Sequence, residues 1–278
     1  MRILTALIAV LLVGASARAD GPLGPLGVPA RPLVTLAGAG DVVEGGLLGE
    51  LVPGFEEATG YRIEVLALGN GQALEMGRQG KVDAMLAYPP GAGAGAGQVG
   101  AEGAGVDLGP VIDGYYMIVG PASDPARLAG RRAVEALWAI ASSGTTWVSR
   151  RDGSETNLFE LDLWQETLGR DAQHEGWYVS THQGMSATLA EAEKRQAYTL
   201  TSRAAFEARG GSRLKPLVEN DPRLRLPYHL ILADERKWPE ANGEGARTFA
   251  DYLRSAEARR IVENYGVDRF GQPLYAPH

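Results

Sequence analysis

Cysteine is absent from the chain, and its absence limits both the chemistry and the anchoring of the protein. Without cysteine the chain can form neither disulfides nor thiolate metal sites, and it cannot carry the lipidated cysteine that tethers many exported proteins. Histidine is scarce as well: the four residues lie in separate segments, and no pair has the helical spacing of a zinc site. We therefore expect no disulfide, no metal and no cofactor.

The common catalytic motifs are also missing. The segment Gly184–Thr188 lacks the second glycine of a serine nucleophile elbow, and Gly69–Gln72 is not followed by the Gly-Lys-Ser/Thr of a phosphate-binding loop. We expect a binding protein and not an enzyme. An exported hydrolase that uses Asp41 and Asp152 as a carboxylate pair is the enzymatic alternative.

The N-terminus is typical of a secretory signal. Arg2 precedes an apolar run from Ile3 to Val13, and Ala17-Arg18-Ala19 supplies a cleavage site. This run is shorter than the roughly 20 apolar residues that a spanning helix requires. We predict a signal peptide at 1–19, a leader rich in proline and glycine at 20–32, and a periplasmic protein without a lipid anchor.

The composition favours a globular protein with a small-molecule ligand. Hydrophobic residues make up 45% of the chain and charged residues 22%, close to globular averages. The net charge of -7 disfavours binding to nucleic acid or to anionic lipid. A local arginine or a helix N-terminus can still attract a small anion, because the diffuse charge is screened over about 8 Å.

Hydrophobic periods along the chain predict an α/β fold. Short β-type runs alternate with amphipathic helical periods. The predicted strands are Leu33–Ala37, Arg62–Leu68, Val82–Tyr88, Tyr115–Val119, Trp147–Ser149, Trp177–Ser180, Ala197–Thr201 and Tyr228–Leu232. We predict one lobe from 33–114 and 228–278, and a second lobe from 115–227. The glycine-rich stretch Gly91–Gly105 has little to bury and is predicted to be a loop or a lid.

Four turns rich in glycine or hydroxyl groups directly precede helical periods. Such turns expose backbone N–H groups at the positive end of a helix dipole, which suits an anion, although each can equally be an ordinary helix cap. These turns are Gly38–Asp41, Gly69–Gln72, Ser149–Thr156 and Gln183–Thr188.

At these turns the chain resembles the tungstate-binding solute receptors of ABC transporters, which are two-lobed type II periplasmic binding proteins. The resemblance extends in order over nearly all of the chain after the leader. The segments that carry it are Gly46–Leu48, Pro53–Gly60, Gly69–Leu74, Val82–Leu86, Ile118–Pro121, Asp124–Ala126, Val148–Thr156, Trp177–Tyr178, Gln183–Leu189, Ala197–Thr201, Asp221–Leu224, Tyr265–Val267 and Phe270–Leu274.

The resemblance implies an oxyanion site between the lobes. In the family a Ser-Arg-Gly-Asp loop opens a helix of the second lobe, and Ser149, Arg150 and Asp152 match it, whereas Arg151 replaces the glycine. We predict that Ser149, Arg150 and Arg151 contact the ligand. A guanidinium suits this role because its planar fork donates paired hydrogen bonds to oxygen atoms. Arg150 could instead form an internal salt bridge, for example with Asp152.

The first binding loop departs from the family pattern. Where the family has threonines and a serine, this chain has Gly38, Ala39, Gly40 and Asp41. We still predict that these four residues line the ligand site, with the backbone N–H groups of Gly38 to Gly40 as donors. A carboxylate at about 4 Å from a bound charge would repel it by about 4 kcal/mol at an effective dielectric constant near 20. An inorganic oxyanion, a zwitterionic metabolite, and a receptor-like module without a transported ligand therefore remain as alternatives.

Further ligand donors are predicted at the starts of helical segments. Gln72, Ser186 and Thr188 occupy such positions, where each could also be a cap. The resemblance further implies a hinge that closes around the ligand, a membrane permease as partner, and a monomeric receptor.

Overall fold

The computed structural model describes residues 32–39, 42–43, 45–89 and 103–278. The predicted signal peptide, nearly all of the leader and most of the Gly91–Gly105 segment lie outside these residues.

Strands and helices alternate along the described chain. The strands are β1 (Leu33–Ala39), β2 (Arg62–Leu68), β3 (Ala84–Ala87), β4 (Val106–Gly120), β5 (Trp147–Ser149), β6 (Tyr178–Ser180), β7 (Thr199–Ser202), β8 (Lys215–Val218), β9 (Arg225–Leu232) and β10 (Tyr275–Pro277). The helices are α1 (Leu47–Thr59), α2 (Asn70–Arg78), α3 (Ala133–Ser143), α4 (Glu155–Leu168), α5 (Met185–Arg195), α6 (Arg203–Arg209), α7 (Gly243–Leu253), α8 (Ala256–Asn264) and α9 (Val267–Phe270). Within the described ranges, no helix combines the length and apolar character that crossing a bilayer would require.

Local sequence explains where the helices near the candidate site begin and end. The Ser154 side chain caps α4 by accepting a hydrogen bond from the Asn157 N–H, and Ser202 caps α6 in the same way. Helix α4 ends at Gly169, whose φ of 68° is the left-handed conformation that glycine adopts most easily.

The carboxyl ends of three strands meet at one edge of the larger sheet. Strand β1 pairs in parallel with β2 on one side and with β3 on the other. The chain therefore leaves β1 after Ala39, β2 after Leu68 and β3 after Ala87 at the same edge. In parallel α/β sheets this edge is the usual position of a ligand site.

Strand β4 changes partners along its length of 15 residues. Residues from Val106 to Tyr115 pair with β9, and part of this stretch pairs with β10. From Tyr116 to Gly120 the same strand pairs with β7 and β8. One continuous strand thus contributes to two groups of strands.

A smaller parallel pair, β5 and β6, supports the second set of loops. Trp147, Val148 and Ser149 are in register with Tyr178, Val179 and Ser180. Trp147 also forms a parallel bridge to Tyr198, just before β7. The loops that follow Ser149 and Ser180 therefore leave the sheet side by side.

The predicted strands are confirmed, but several bounds differ. The predicted strand Tyr115–Val119 is only the last part of β4. The first part was not predicted because Gly109 and Pro110 interrupt its alternation, and the register also shifts there. The short strands β8 and β10, each of which contains a proline, were not predicted. The lobe boundaries at 114/115 and 227/228 stay a prediction.

Candidate ligand-binding site

The loop from Arg150 to Ser154 joins β5 to α4 and lies beside the loop that joins β6 to α5. The Thr181 N–H donates to the Ser149 carbonyl at 2.9 Å, and His182 Nδ1 lies 2.9 Å from the Arg151 carbonyl oxygen. The two loops, each at the start of a helix, are therefore held together by hydrogen bonds.

Arg150 is oriented by an acid within its own loop. Its Nε and Nη2 donate to the same Asp152 Oδ2 at 3.0 and 2.7 Å, and the two side chains are 15% and 19% exposed. The other oxygen, Oδ1, accepts from the Ser154 N–H at 3.1 Å and from its hydroxyl at 2.6 Å. Burial by itself would raise the pKa of Asp152, but the Ser154 hydroxyl and the Arg150 charge outweigh it and lower that pKa. A fixed, ionised carboxylate thus holds the guanidinium in place.

Arg151 has the backbone conformation of a glycine. Its φ is 47°, in the left-handed region that costs a non-glycine residue about 1 to 2 kcal/mol. Its guanidinium pairs with Asp171 at 2.9 Å and also contacts Gln173. The structure thus explains why a glycine suits this position, and it directs the Arg151 side chain toward Asp171.

Ser149 is buried and turned toward the protein interior. It is 1% exposed, and its hydroxyl donates to Glu160 Oε2 at 2.6 Å. Glu160 Oε1 accepts from Trp147 Nε1 at 2.8 Å, from the Tyr178 hydroxyl at 2.7 Å and from Trp164 Nε1 at 3.2 Å. Burial raises the pKa of Glu160 despite these four donors.

Glu160 was not predicted from the sequence, although one signal was present. Glu160 shares a helical face with Leu163 and Trp164, and an acid within an apolar face is unusual unless it is paired. The side chain joins β5, β6 and α4 beneath the Arg150 loop.

The loop Gln183–Thr188 holds its two predicted ligand donors, Ser186 and Thr188, in different surroundings. Thr188 is fully buried, and its hydroxyl lies 3.0 Å from that of Thr181 and contacts the carbonyls of Gln183 and Gly184. Ser186 is exposed in the first turn of α5. In this structure the Thr188 hydroxyl thus stabilises the loop through hydrogen bonds within it, whereas the Ser186 side chain is exposed to solvent.

The first-lobe loop is described only in part. Gly38 is buried near the end of β1, where an added Cβ would lie 2.3 Å from Val43 Cγ2, so that glycine fits this position closely. Ala39 is the last residue of β1 and is in register with Leu68. Gly40 and Asp41 lie outside the described residues.

Gln72 acts as a helix cap in this structure. It is exposed in the first turn of α2, and its Oε1 accepts from the Gly69 N–H at 3.2 Å. The first residue of α2 forms a buried link: the Asn70 carboxamide, 1% exposed, accepts from the Tyr88 N–H at 2.9 Å and donates to the Tyr88 carbonyl at 2.8 Å. Asn70 thus connects the carboxyl ends of β2 and β3.

Within the described ranges, no group of three or more His, Asp or Glu side chains could hold a metal ion.

Comparisons with known proteins show the family. The model of the PBP (periplasmic binding protein) superfamily domain matches residues 27–257. A tungstate-binding protein, TupA, from Peptoclostridium acidaminophilum is 32% identical over 277 residues, which cover 98% of this chain and 95% of that protein.

Solved structures agree with this assignment. The tungstate-binding protein TupA from Desulfovibrio alaskensis superposes with a TM-score of 0.77 at 31% identity, covering 89% of this chain and 99% of that one. The tungstate ABC transporter protein from Geobacter sulfurreducens gives a TM-score of 0.66 at 31% identity, covering 84% and 98%.

These matches confirm the resemblance and the two-lobed α/β fold class that the sequence predicts. They also confirm a binding protein and not an enzyme, because the family consists of solute-binding proteins. The chain therefore belongs to the periplasmic binding protein superfamily, in the same family as these tungstate-binding receptors of ABC transporters.

Proposed function

We propose that this protein captures tungstate, or a related small oxyanion, and delivers it to the membrane permease of an ABC transporter. The observation that carries the proposal is the loop from Arg150 to Ser154, which matches the family's sequence pattern except at Arg151 and opens α4 beside the loop that opens α5. Two adjacent helix N-termini with an oriented arginine suit an oxyanion chemically.

In this proposal each lobe contributes one part of the site. The second lobe supplies Arg150 and the backbone N–H groups at the start of α4, and the first lobe supplies the backbone that follows Gly38. The change of β4 partners between Tyr115 and Tyr116 supports the proposed lobe boundary near residue 115. Ligand that contacts both lobes favours their closed arrangement, which the permease recognises.

The family also supports the proposed location and state of the protein. Exported binding proteins of ABC transporters work in the periplasm, and residues 1–19 are the proposed export signal. The receptor acts as a monomer, and its partners are the small anion and the permease. No thiol anchors it, because the chain contains no cysteine.

A ligand panel tests the proposal. Unfolding is measured with tungstate, molybdate, sulfate, phosphate and amino acids, and tungstate at 100 times its dissociation constant should add about 2.7 kcal/mol. Arg150→Ala should lose most of this gain. Arg195→Ala is the control, because it removes an equal charge from an exposed ion pair on α5. If no oxyanion stabilises the wild-type protein, the proposed ligand is wrong.

A second candidate, a zwitterionic metabolite, is favoured by the charges around the loop. Arg150 pairs with Asp152 and Arg151 pairs with Asp171, so each of these cations has a nearby acid. A ligand that carries both charges would be less sensitive to this balance than a dianion. Stabilisation by amino acids, without any by tungstate, would support this candidate.

A further inference from the structure

Tyr88 is a buried residue at the carboxyl end of β3. It is not one of the proposed ligand contacts. It is 0% exposed, and Asn70 fixes its backbone through both N–H and carbonyl. Tyr88 follows the strand that pairs with β1 next to Gly38. It therefore lies at the edge of the first-lobe sheet where the proposed ligand site begins.

The Tyr88 side chain reaches helix α4, which belongs to the proposed second lobe. Its hydroxyl donates to Asp162 Oδ2 at 2.5 Å, and its ring lies 6.2 Å from that of Phe159 at an angle of 78°. Asp162 is half-buried, so the hydrogen bond is partly shielded from water. This contact joins residues 74 positions apart across the proposed lobe boundary.

Helix α4 is also tied to its own lobe on the same side. The Tyr116 ring lies 5.3 Å from Phe159, and the Tyr116 hydroxyl is 3.2 Å from Thr156 Oγ1. The helix that begins after the Arg150 loop thus moves with Tyr116. Opening a cleft between the lobes would separate Tyr88 from Asp162 and leave the contacts of Tyr116 intact.

We propose that Tyr88 and Asp162 determine ligand affinity without touching the ligand, because their hydrogen bond stabilises the closed arrangement of the lobes. The proposal rests on the proposed hinge-closing receptor and deepens it. A contact made only in the closed arrangement raises the fraction of receptor that is ready to hold ligand, and apparent affinity rises in proportion. Tyr88 and Asp162 are positioning residues in this sense.

The test measures closure and affinity in separate experiments. Because the chain has no cysteine, Ala58→Cys and Ala122→Cys place one spin label on each proposed lobe, at exposed positions. Tyr88→Phe should shift the distance distribution of the ligand-free protein away from that of the tungstate-bound protein. It should also weaken tungstate binding by about tenfold, the effect of losing one hydrogen bond to a charged group.

Two further variants separate this role from a general effect on folding. Asp162→Asn keeps an acceptor for the Tyr88 hydroxyl and should cost less affinity than Asp162→Ala. The double variant Tyr88→Phe/Asp162→Ala should weaken binding by less than the sum of the two single effects, because both changes remove the same hydrogen bond. Tyr252→Phe is the control, because the buried Tyr252 hydroxyl makes no hydrogen bond in the described structure.

The outcomes distinguish this proposal from the ligand assignment. If Tyr88→Phe leaves both the ligand-free distance distribution and the affinity unchanged, the positioning role is wrong. The same conclusion follows if Tyr88→Phe and Asp162→Ala weaken binding additively. If the wild-type protein binds no oxyanion, the proposed function fails, whereas a ligand-free distance distribution that is the same in Tyr88→Phe and wild type would still show that the positioning role is wrong.

Discussion

The hydroxyl of Ser149 donates to Glu160 at 2.6 Å, so a residue expected to face the ligand is directed toward a buried acid. A serine hydroxyl has one hydrogen to donate, and an oxyanion offers only acceptors. In this arrangement Ser149 supports the site through the position of its backbone, and Arg150 follows it directly into the loop.

Glu160→Ala should strongly destabilise the protein. The substitution leaves Trp147 Nε1, the Tyr178 hydroxyl and the Ser149 hydroxyl without their buried acceptor, and each orphaned group costs about 1 to 3 kcal/mol. We expect a loss of at least about 3 kcal/mol in the free energy of unfolding, measured with urea. Glu57→Ala, on the exposed side of α1, should stay within about 0.5 kcal/mol. An equally small effect of Glu160→Ala would show that these donors find water or other acceptors.

Arg151→Gly should leave ligand affinity unchanged. Glycine accepts the φ of 47° without strain, while the substitution removes an ion pair with Asp171, so stability should change by about 1 kcal/mol or less. Arg127→Gly is a matched control, because Arg127 is exposed and has a φ of 56°. Calorimetric titration with tungstate checks the affinity. A tenfold loss in Arg151→Gly alone would place the Arg151 guanidinium in the ligand site.

Gln72→Glu distinguishes a helix cap from a ligand donor. Glutamate keeps the acceptor for the Gly69 N–H and adds a negative charge, which would repel an anion bound nearby. Because Gln72 is exposed and acts as a cap, we expect unchanged tungstate affinity. Gln72→Ala should lower the free energy of unfolding by about 0.5 to 1 kcal/mol. Weaker binding in Gln72→Glu, with binding retained in Gln72→Ala, would instead place residue 72 beside the anion.

Glu193 should make stability depend on pH. Hydrogen bonds from Arg209 and Ser212, with the N–H of Arg213, lower the pKa of Glu193 from 4.5 to about 2. A lowered folded-state pKa means that the stabilisation is complete above pH 4.5 and is lost as the pH falls toward 2. Glu193→Gln should therefore be less stable than wild type by about 1 kcal/mol at pH 7, since solvent screens part of the charge, and the two should converge near pH 2.

Urea unfolding of Glu193→Gln and wild type at a series of pH values checks this prediction. Glu57→Gln serves as the exposed control. A difference that stays constant from pH 7 to pH 2 would contradict the assigned pKa, which is about 2.

Much of the fold could be predicted from local patterns, because the spacing of apolar residues indicates which face of each strand or helix is buried. Strands β2 and β5 have the predicted bounds. The first part of β4 was missed because Gly109 and Pro110 interrupt its alternation, and pairing with β9 and β10 keeps that segment extended.

The loops of the candidate site could be predicted from the sequence, but the orientation of their side chains could not. The sequence identifies the Arg150 loop, and the structure adds that Asp152 holds Arg150. The inward direction of Ser149 depends on Glu160, which lies 11 positions away, and the Tyr88 contact depends on a partner 74 positions away. Such directions arise from tertiary packing, which hydrophobic periods do not encode.

Strand β4 runs unbroken from Val106 to Gly120, past the residue at which its neighbours change. A rotation of the proposed lobes about this point would change the backbone torsions of only a few hydrogen-bonded residues. A flexible loop at the same place would allow rotation in any direction. Because β9 pairs antiparallel with β4 up to Tyr115, and β10 pairs with it up to Gly114, the proposed motion would be limited to bending and twisting of these paired strands. If the lobes open as proposed, few movements are available to them, and each would bring the same loops back to the same positions.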